Sequence, residues 1–171
     1  SPIQVYVFHI QECPACGGIL QEFLPGLQAR YPLLEVKTFD VGDSSFYGAL
    51  VKLEQRFGRE GSEFPVLFIG DQLLSGEVEI LEKLEPLILE FQLRGSVPLP
   101  PVEVASGTKA PEGTFSVDLA YFYQKGCSKC DRAIYLLKYL SNQYPRLNIK
   151  EIDINPLLAT LPRLLHVRGV C

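Results

Sequence analysis

The chain has 171 residues, 47% of them hydrophobic and 21% charged, with a net charge of −4 and a pI near 5.2. That composition supports a globular protein with a substantial core in one or two domains. The charge balance leaves no basic stripe for nucleic acid, and no apolar run reaches the length that spans a bilayer.

In chain order, Ile3 to Phe8 is a short run of β-branched and aromatic residues and is expected to form a strand. After a turn, Cys13 opens a segment running to Tyr31. Its apolar residues Ile19, Leu20, Phe23, Leu24 and Leu27 recur with helical spacing. Pro25-Gly26 should kink or break that helix near its middle. Leu33 to Val41 alternates apolar and polar residues as a second strand, and Phe46 to Phe57 returns to helical spacing. Phe64 to Ile69 is expected as a third strand opened by Pro65. A Gly70-Asp71 turn and a short fourth strand at Gln72 to Leu74 follow, and then a helix from Glu77 to Leu93. The order β-α-β-α-β-β-α implies a parallel pair across the helical crossover and an antiparallel pair across the tight turn. The expected class is therefore α/β, with a mixed four-stranded sheet flanked by helices.

Residues 95–114 contain four prolines with little hydrophobic periodicity, and are expected to be an extended linker between a first domain, 1–94, and a second, 115–171. Beyond them the pattern restarts. Phe8, Cys13 and Cys16 match Phe122, Cys127 and Cys130 at an offset of 114 residues. Tyr31-Pro32, Lys37 and Asp40 match Tyr144-Pro145, Lys150 and Asp153 at an offset of 113. The second copy has its own expected strand at Leu147 to Ile154 and a helix at Leu157 to Val167 interrupted by Pro162. Its later strands and closing helix are missing from the pattern, so this copy is expected to be incomplete, or the parent protein to continue.

Four of the five cysteines form two CxxC pairs, Cys13-Pro-Ala-Cys16 and Cys127-Ser-Lys-Cys130, each between a strand and a helix. Two thiols at that spacing on a helix start can close a small disulfide ring. The unpaired N–H groups of the helix start favour thiolate at the first sulfur. Cys13 and Cys127 are thus the expected nucleophiles, with Cys16 and Cys130 as resolving thiols. Lys125, Lys129 and Arg132 around the second pair should favour thiolate further, whereas Glu12 beside Cys13 opposes it. The two centres are accordingly expected to differ in potential, so that electrons pass between them in one direction. A four-thiolate zinc site is the rival reading. Its usual ligand spacing is short, however, and here 110 residues lie between Cys16 and Cys127. A purely structural disulfide, or a redox-silent module that binds partners through this fold, also fits the pairs. His9 and His166 have no Cys or Asp companion in sequence and read as structural. Asp40 and Asp153, at corresponding strand ends, fit a turn or cap role better than the proton-transfer role that their matched positions also allow.

The strand, the CxxC, the interrupted helix, the second strand and the later proline opening a third strand resemble the thioredoxin/glutaredoxin superfamily. The resemblance covers the whole pattern in residues 3–93 and its first half in residues 117–171. Cys13-Pro14-Ala15-Cys16 resembles glutaredoxin-type centres, and Phe64-Pro65 resembles the family's cis-proline, which implies a role for both in binding substrate backbone. Ser75-Gly76-Glu77 departs from the Gly-Gly-acid run of glutathione-binding glutaredoxins, and Phe64 stands where a small or β-branched residue is usual. The Trp that precedes the thioredoxin motif is absent. Arg168-Gly169-Val170-Cys171 resembles the thioredoxin approach to the cis-proline, with Cys171 in the proline's place. The resemblance implies a tandem thiol–disulfide oxidoreductase that exchanges with protein dithiols and disulfides through its own cysteines, without metal or organic cofactor. The tandem layout also resembles redox-relay parts of larger bacterial proteins fused to membrane electron carriers, which implies an extracytoplasmic setting.

Overall fold

The computed structural model describes residues 2–104 and 116–155. The chain divides into two compact units, Ser1–Ser106 and Gly107–Cys171. In the first, β1 (Ile3–His9) leads to a helical stretch made of α1 (Pro14–Gly18), a π turn (Ile19–Phe23) and α2 (Leu24–Arg30). Then come β2 (Leu34–Asp40), α3 (Ser44–Phe57), β3 (Val66–Ile69), β4 (Gln72–Ser75) and α4 (Gly76–Arg94). The sheet order is β2-β1-β3-β4. β1 is parallel to β2 from Ile3↔Leu34 to His9↔Asp40, and antiparallel to β3 from Val5↔Ile69 to Phe8↔Val66. This is the α/β class with a mixed four-stranded sheet.

β1 is central and has helices on both faces, so it reads as a continuous apolar run instead of an alternating one. Val5 and Val7 are fully buried in the cluster that holds Ile19, Leu24 and Leu27 with Ile80, Leu84, Ile88 and Phe91 of α4. The other set, Tyr6 and Phe8, meets aromatic side chains. Phe8 stacks on Phe39 at 4.8 Å between centroids and meets Phe68 edge-on at 5.8 Å, while Phe46 and Phe57 of α3 approach Phe39 and Phe68 at 5.4 and 5.0 Å. Such geometries add about 0.5–1.5 kcal/mol per pair beyond area burial.

Pro25 does not break the first helix as its sequence suggests. The helix widens just before it, and the Leu24 N–H reaches back five residues to the Ile19 carbonyl. The segment from Cys16 to Tyr31 is one residue longer than that from Cys130 to Tyr144. A π turn is how a helix absorbs one extra residue without leaving its axis. The shorter segment is α-helical without interruption as α5 (Ser128–Gln143).

The proline-rich segment expected as a linker from residue 95 is attached to the first unit along its first ten residues. Leu99 is buried, Ser96 Oγ donates to the Pro2 carbonyl at 2.9 Å, and Glu103 lies 3.9 Å from Lys52 of α3. A single buried leucine among the prolines of this strap is a signal too small to register as periodicity.

An ionic cluster ties the end of α3 to the β4–α4 corner. Arg59 donates twice to the Glu79 carboxylate, at 3.2 and 2.8 Å, and Lys83 Nζ and the Ser75 N–H reach it at 2.9 and 2.8 Å. Desolvation works against the charged form. The hydrogen bonds from Arg59, Lys83 and Ser75 and the Arg59 charge outweigh it, lowering the carboxyl from its ordinary 4.5 to about 2. A depressed folded-state pKa contributes stability above the unfolded value and loses it as pH falls through the folded one. The first unit should therefore lose about 1–2 kcal/mol from this site between pH 4.5 and 2. Chemical denaturation across that range should show a shallower decline in Glu79→Gln; an unchanged slope would show that the cluster contributes nothing.

The second unit has β5 (Val117–Tyr123), α5 and β6 (Leu147–Asp153). β5 and β6 are parallel from Val117↔Leu147 to Tyr123↔Asp153. The expected helix at 157–167, with Pro162 and His166, and Cys171 lie outside the described residues.

Candidate active site

β1 ends at His9, and after three intervening residues Cys13 takes the N-cap position of α1, with Pro14 as the first helical residue. Proline suits that place because the N–H it lacks has no intrahelical partner there, and its φ is already helical. The Cys16 N–H points at Cys13 Sγ at 3.1 Å, so the sulfur stands where a capping oxygen would. Cys13 and Cys16 form a disulfide with Cα atoms 5.2 Å apart. Cys13 is half-buried, whereas Cys16 is only 1% exposed. An incoming thiolate therefore has one sulfur to attack.

The β1–β3 register brings Phe64 and Pro65 to the same end of the sheet. Phe8 faces Val66, so Pro65 falls beside His9 and the start of the Cys13 loop. Phe64 and Pro65 precede β3, which begins at Val66 and not at Phe64 as its composition suggests; the peptide between them is cis. Both are buried. Their loop is held from three sides. The buried Glu54 of α3 accepts from the Ser62 N–H at 3.0 Å, and the Glu63 N–H donates to Ser75 Oγ at 2.8 Å. The Gly76 N–H lies 3.0 Å from the carbonyls of both Glu63 and Pro65, and its φ of 76° suits glycine. Ser75 and Gly76 thus serve to fix the proline loop, which gives the departure at Ser75-Gly76-Glu77 an internal function. Glu54, Ser62 and Ser75 were not legible as site residues, because each acts across 8 or 12 positions without a motif.

In the second unit Cys127 is the N-cap of α5, and Cys127 and Cys130 are half-buried and not joined in a disulfide. The Asp131 N–H donates to the Cys127 carbonyl at 3.1 Å, as the Gly17 N–H does to Cys13 at 3.2 Å. Tyr121 of β5, which no motif singled out, places its hydroxyl 3.4 Å from the Cys130 carbonyl. Burial first, then the charge of Cys130 and the hydrogen bond with it, then Cys127 and Asp131, push Tyr121 up to about 12. It therefore stays protonated beside this thiol pair across the range in which thiols titrate. The only signal for it is that Tyr121 stands where the first unit has Val7. Among the described residues no group of three or more His, Cys, Asp or Glu side chains is placed to hold a metal ion, and no helix is long and apolar enough to cross a membrane.

A mixed sheet whose central strand feeds a CxxC at a helix start, with a cis-proline loop at the same end of the sheet, gives the first unit a thioredoxin-like α/β fold. No family model and no curated protein sequence matches the chain. Among solved structures it is similar to the NTD_N/C domain of alkylhydroperoxide reductase AhpF from Enterococcus faecalis. The two are 14% identical with a TM-score of 0.36, over 92% of this chain and 74% of that one.

Proposed function

We propose that the chain is a thiol–disulfide oxidoreductase that exchanges with protein dithiols through Cys13–Cys16 and Cys127–Cys130. The observation that carries this reading is the asymmetry of the first pair, a half-buried Cys13 at the helix cap bonded to a fully buried Cys16. A thiolate of a reduced partner attacks Cys13 Sγ; the new S–S bond forms as the Cys13–Cys16 bond breaks, and Cys16 leaves as a thiolate that takes a proton from solvent. The partner's second thiolate then attacks its own sulfur in the mixed disulfide and releases Cys13. The partner loses two electrons and the cysteine pair gains them, so the exchange balances without metal or organic cofactor. Phe64 and Pro65, at the same end of the sheet as the pair, are assigned to binding the partner's backbone.

The matching hydrogen bonds at Cys127 and the parallel β5–β6 ladder support reading the second unit as a further copy of the same device. The strap and the residues beyond it then join two centres of one relay, which fits an extracytoplasmic assembly alongside a membrane electron carrier. Alkylation and mass spectrometry of the native protein, with and without reductant and then across a glutathione redox series, test this. Each pair is expected to cycle between dithiol and disulfide at its own potential, and the gap gives the direction of flow. Potentials that agree within error remove directionality. Pairs that do not cycle, or zinc released with the thiols, replace the enzyme with a binding or structural module.

A further inference from the structure

Only Ile10, Gln11 and Glu12 separate the end of β1 from Cys13. Ile10 is buried and anchors one end of this loop. The middle is held from β2, where Gln11 Nε2 donates to Asp40 Oδ2 at 2.8 Å. The register puts Asp40 opposite His9, and the Val41 N–H extends the ladder to the His9 carbonyl at 3.0 Å, so the strand end beneath the loop is fixed. The other carboxylate oxygen accepts from the Gly42 N–H at 2.8 Å, closing an Asx turn that sets the plane of the group. A Cβ on Gly42 would come within 3.0 Å of that oxygen, so the glycine keeps the place open.

The turn alone needs one oxygen. Asp153 shows this at the corresponding strand end of the second unit, where the Asn155 N–H donates to its Oδ1 at 2.9 Å. There the residue two before the first cysteine is Lys125 in place of Gln11. The second oxygen of Asp40 is therefore an added feature of the first unit, directed at the loop that delivers the nucleophile.

We propose that Asp40 is a positioning residue for exchange at Cys13–Cys16, acting through Gln11 on the loop that presents Cys13. This rests on the reading of that pair as an exchanging one. Disulfide exchange needs the attacking, central and leaving sulfurs nearly in line, so freedom in the 10–12 loop costs rate by letting Cys13 Sγ leave that line. The same freedom weakens the preorganisation of the disulfide ring and shifts its equilibrium toward the dithiol.

The test uses the full chain, with mass spectrometry resolving the peptide that carries Cys13 and Cys16. Reduction by dithiothreitol gives the rate, and a glutathione series gives the potential. Gln11→Leu and Asp40→Ala are expected to slow reduction about threefold to tenfold, the worth of one hydrogen bond. They should also shift the dithiol–disulfide equilibrium about threefold, or about 14 mV for a two-electron couple. Gly42→Ala, which keeps the charge but crowds the carboxylate, should behave like Asp40→Ala. Asp40→Asn, which keeps an amide oxygen for the turn and can bond Gln11, should return to within about twofold of the native rate. Native rate and potential in Gln11→Leu, or Asp40→Asn falling as far as Asp40→Ala, overturns the inference. A native protein whose Cys13–Cys16 pair does not exchange at all instead removes the reading on which it rests.

Discussion

Gly70→Ala is expected to cost the first unit about 3–5 kcal/mol, enough to unfold a domain of ordinary stability. Gly70 and Asp71 are the two residues joining β3 to β4, whose last pair is Ile69↔Gln72. Gly70 has φ of 55°, a backbone conformation that favours glycine over residues with a Cβ. A side chain there meets two separate penalties. The left-handed backbone costs an alanine about 1–2 kcal/mol. In addition, its Cβ would lie 2.3 Å from Phe91 Cζ and under 3 Å from both Cε atoms. Phe91 is 1% exposed and packed with Leu84 and Ile88, so the ring cannot swing aside without opening the core under the sheet. Gly58 serves as the control: its φ is 68°, but nothing lies within 4 Å of the Cβ position. Gly58→Ala should therefore cost only the backbone part, about 1–2 kcal/mol. Denaturant midpoints at equal slope measure both. If the two variants lose the same stability, the Phe91 contact plays no part in the turn's requirement for glycine.

The contrast between Gly70 and Gly58 also marks what the bare chain could reveal. The Gly70-Asp71 turn is legible because two residues between apolar runs are a local signal, and the elements around it follow from spacing alone. The contact with Phe91, 21 residues away, is invisible until α4 is laid across the sheet. The same division holds at the site. Cys13, Cys16 and Pro65 are legible because their chemistry is carried by residue type at short spacing. Gln11 and Asp40 are ordinary polar residues 29 positions apart, joined only once the parallel register of β1 and β2 is known. The π turn shows the converse. Its cause, one extra residue before Tyr31 relative to the segment before Tyr144, stands in the sequence, but counting residues does not say whether a helix breaks or widens. Pro25-Gly26 pointed to a kink or a break. The helix widens instead, with Ile19, Leu24 and Leu27 on either side all buried in one core.

Cys13→Ser is expected to bring exchange at the first centre to the background rate, and Cys16→Ala to stop turnover while preserving capture. The difference follows from burial. Cys13 is reachable and Cys16, at 1% exposure, is not, so only Cys13 can form the intermolecular bond. Cys16 acts on that bond from within, and without it the mixed disulfide has no resolving thiol. Alanine is the better replacement at Cys16, since a serine hydroxyl buried there without a partner would cost about 1–3 kcal/mol and confuse chemistry with folding. Incubating each reduced variant with a peptide disulfide, quenching with acid and mapping the adducts separates the roles. The Cys16→Ala protein should accumulate peptide on Cys13, stable until external thiol is added, while Cys13→Ser should carry none on Cys16. Peptide on Cys16 in the Cys13→Ser protein would mean that the helix start opens in solution far enough to expose the inner sulfur. The order of attack would then be set by local motion of α1 instead of by the burial that the folded site displays.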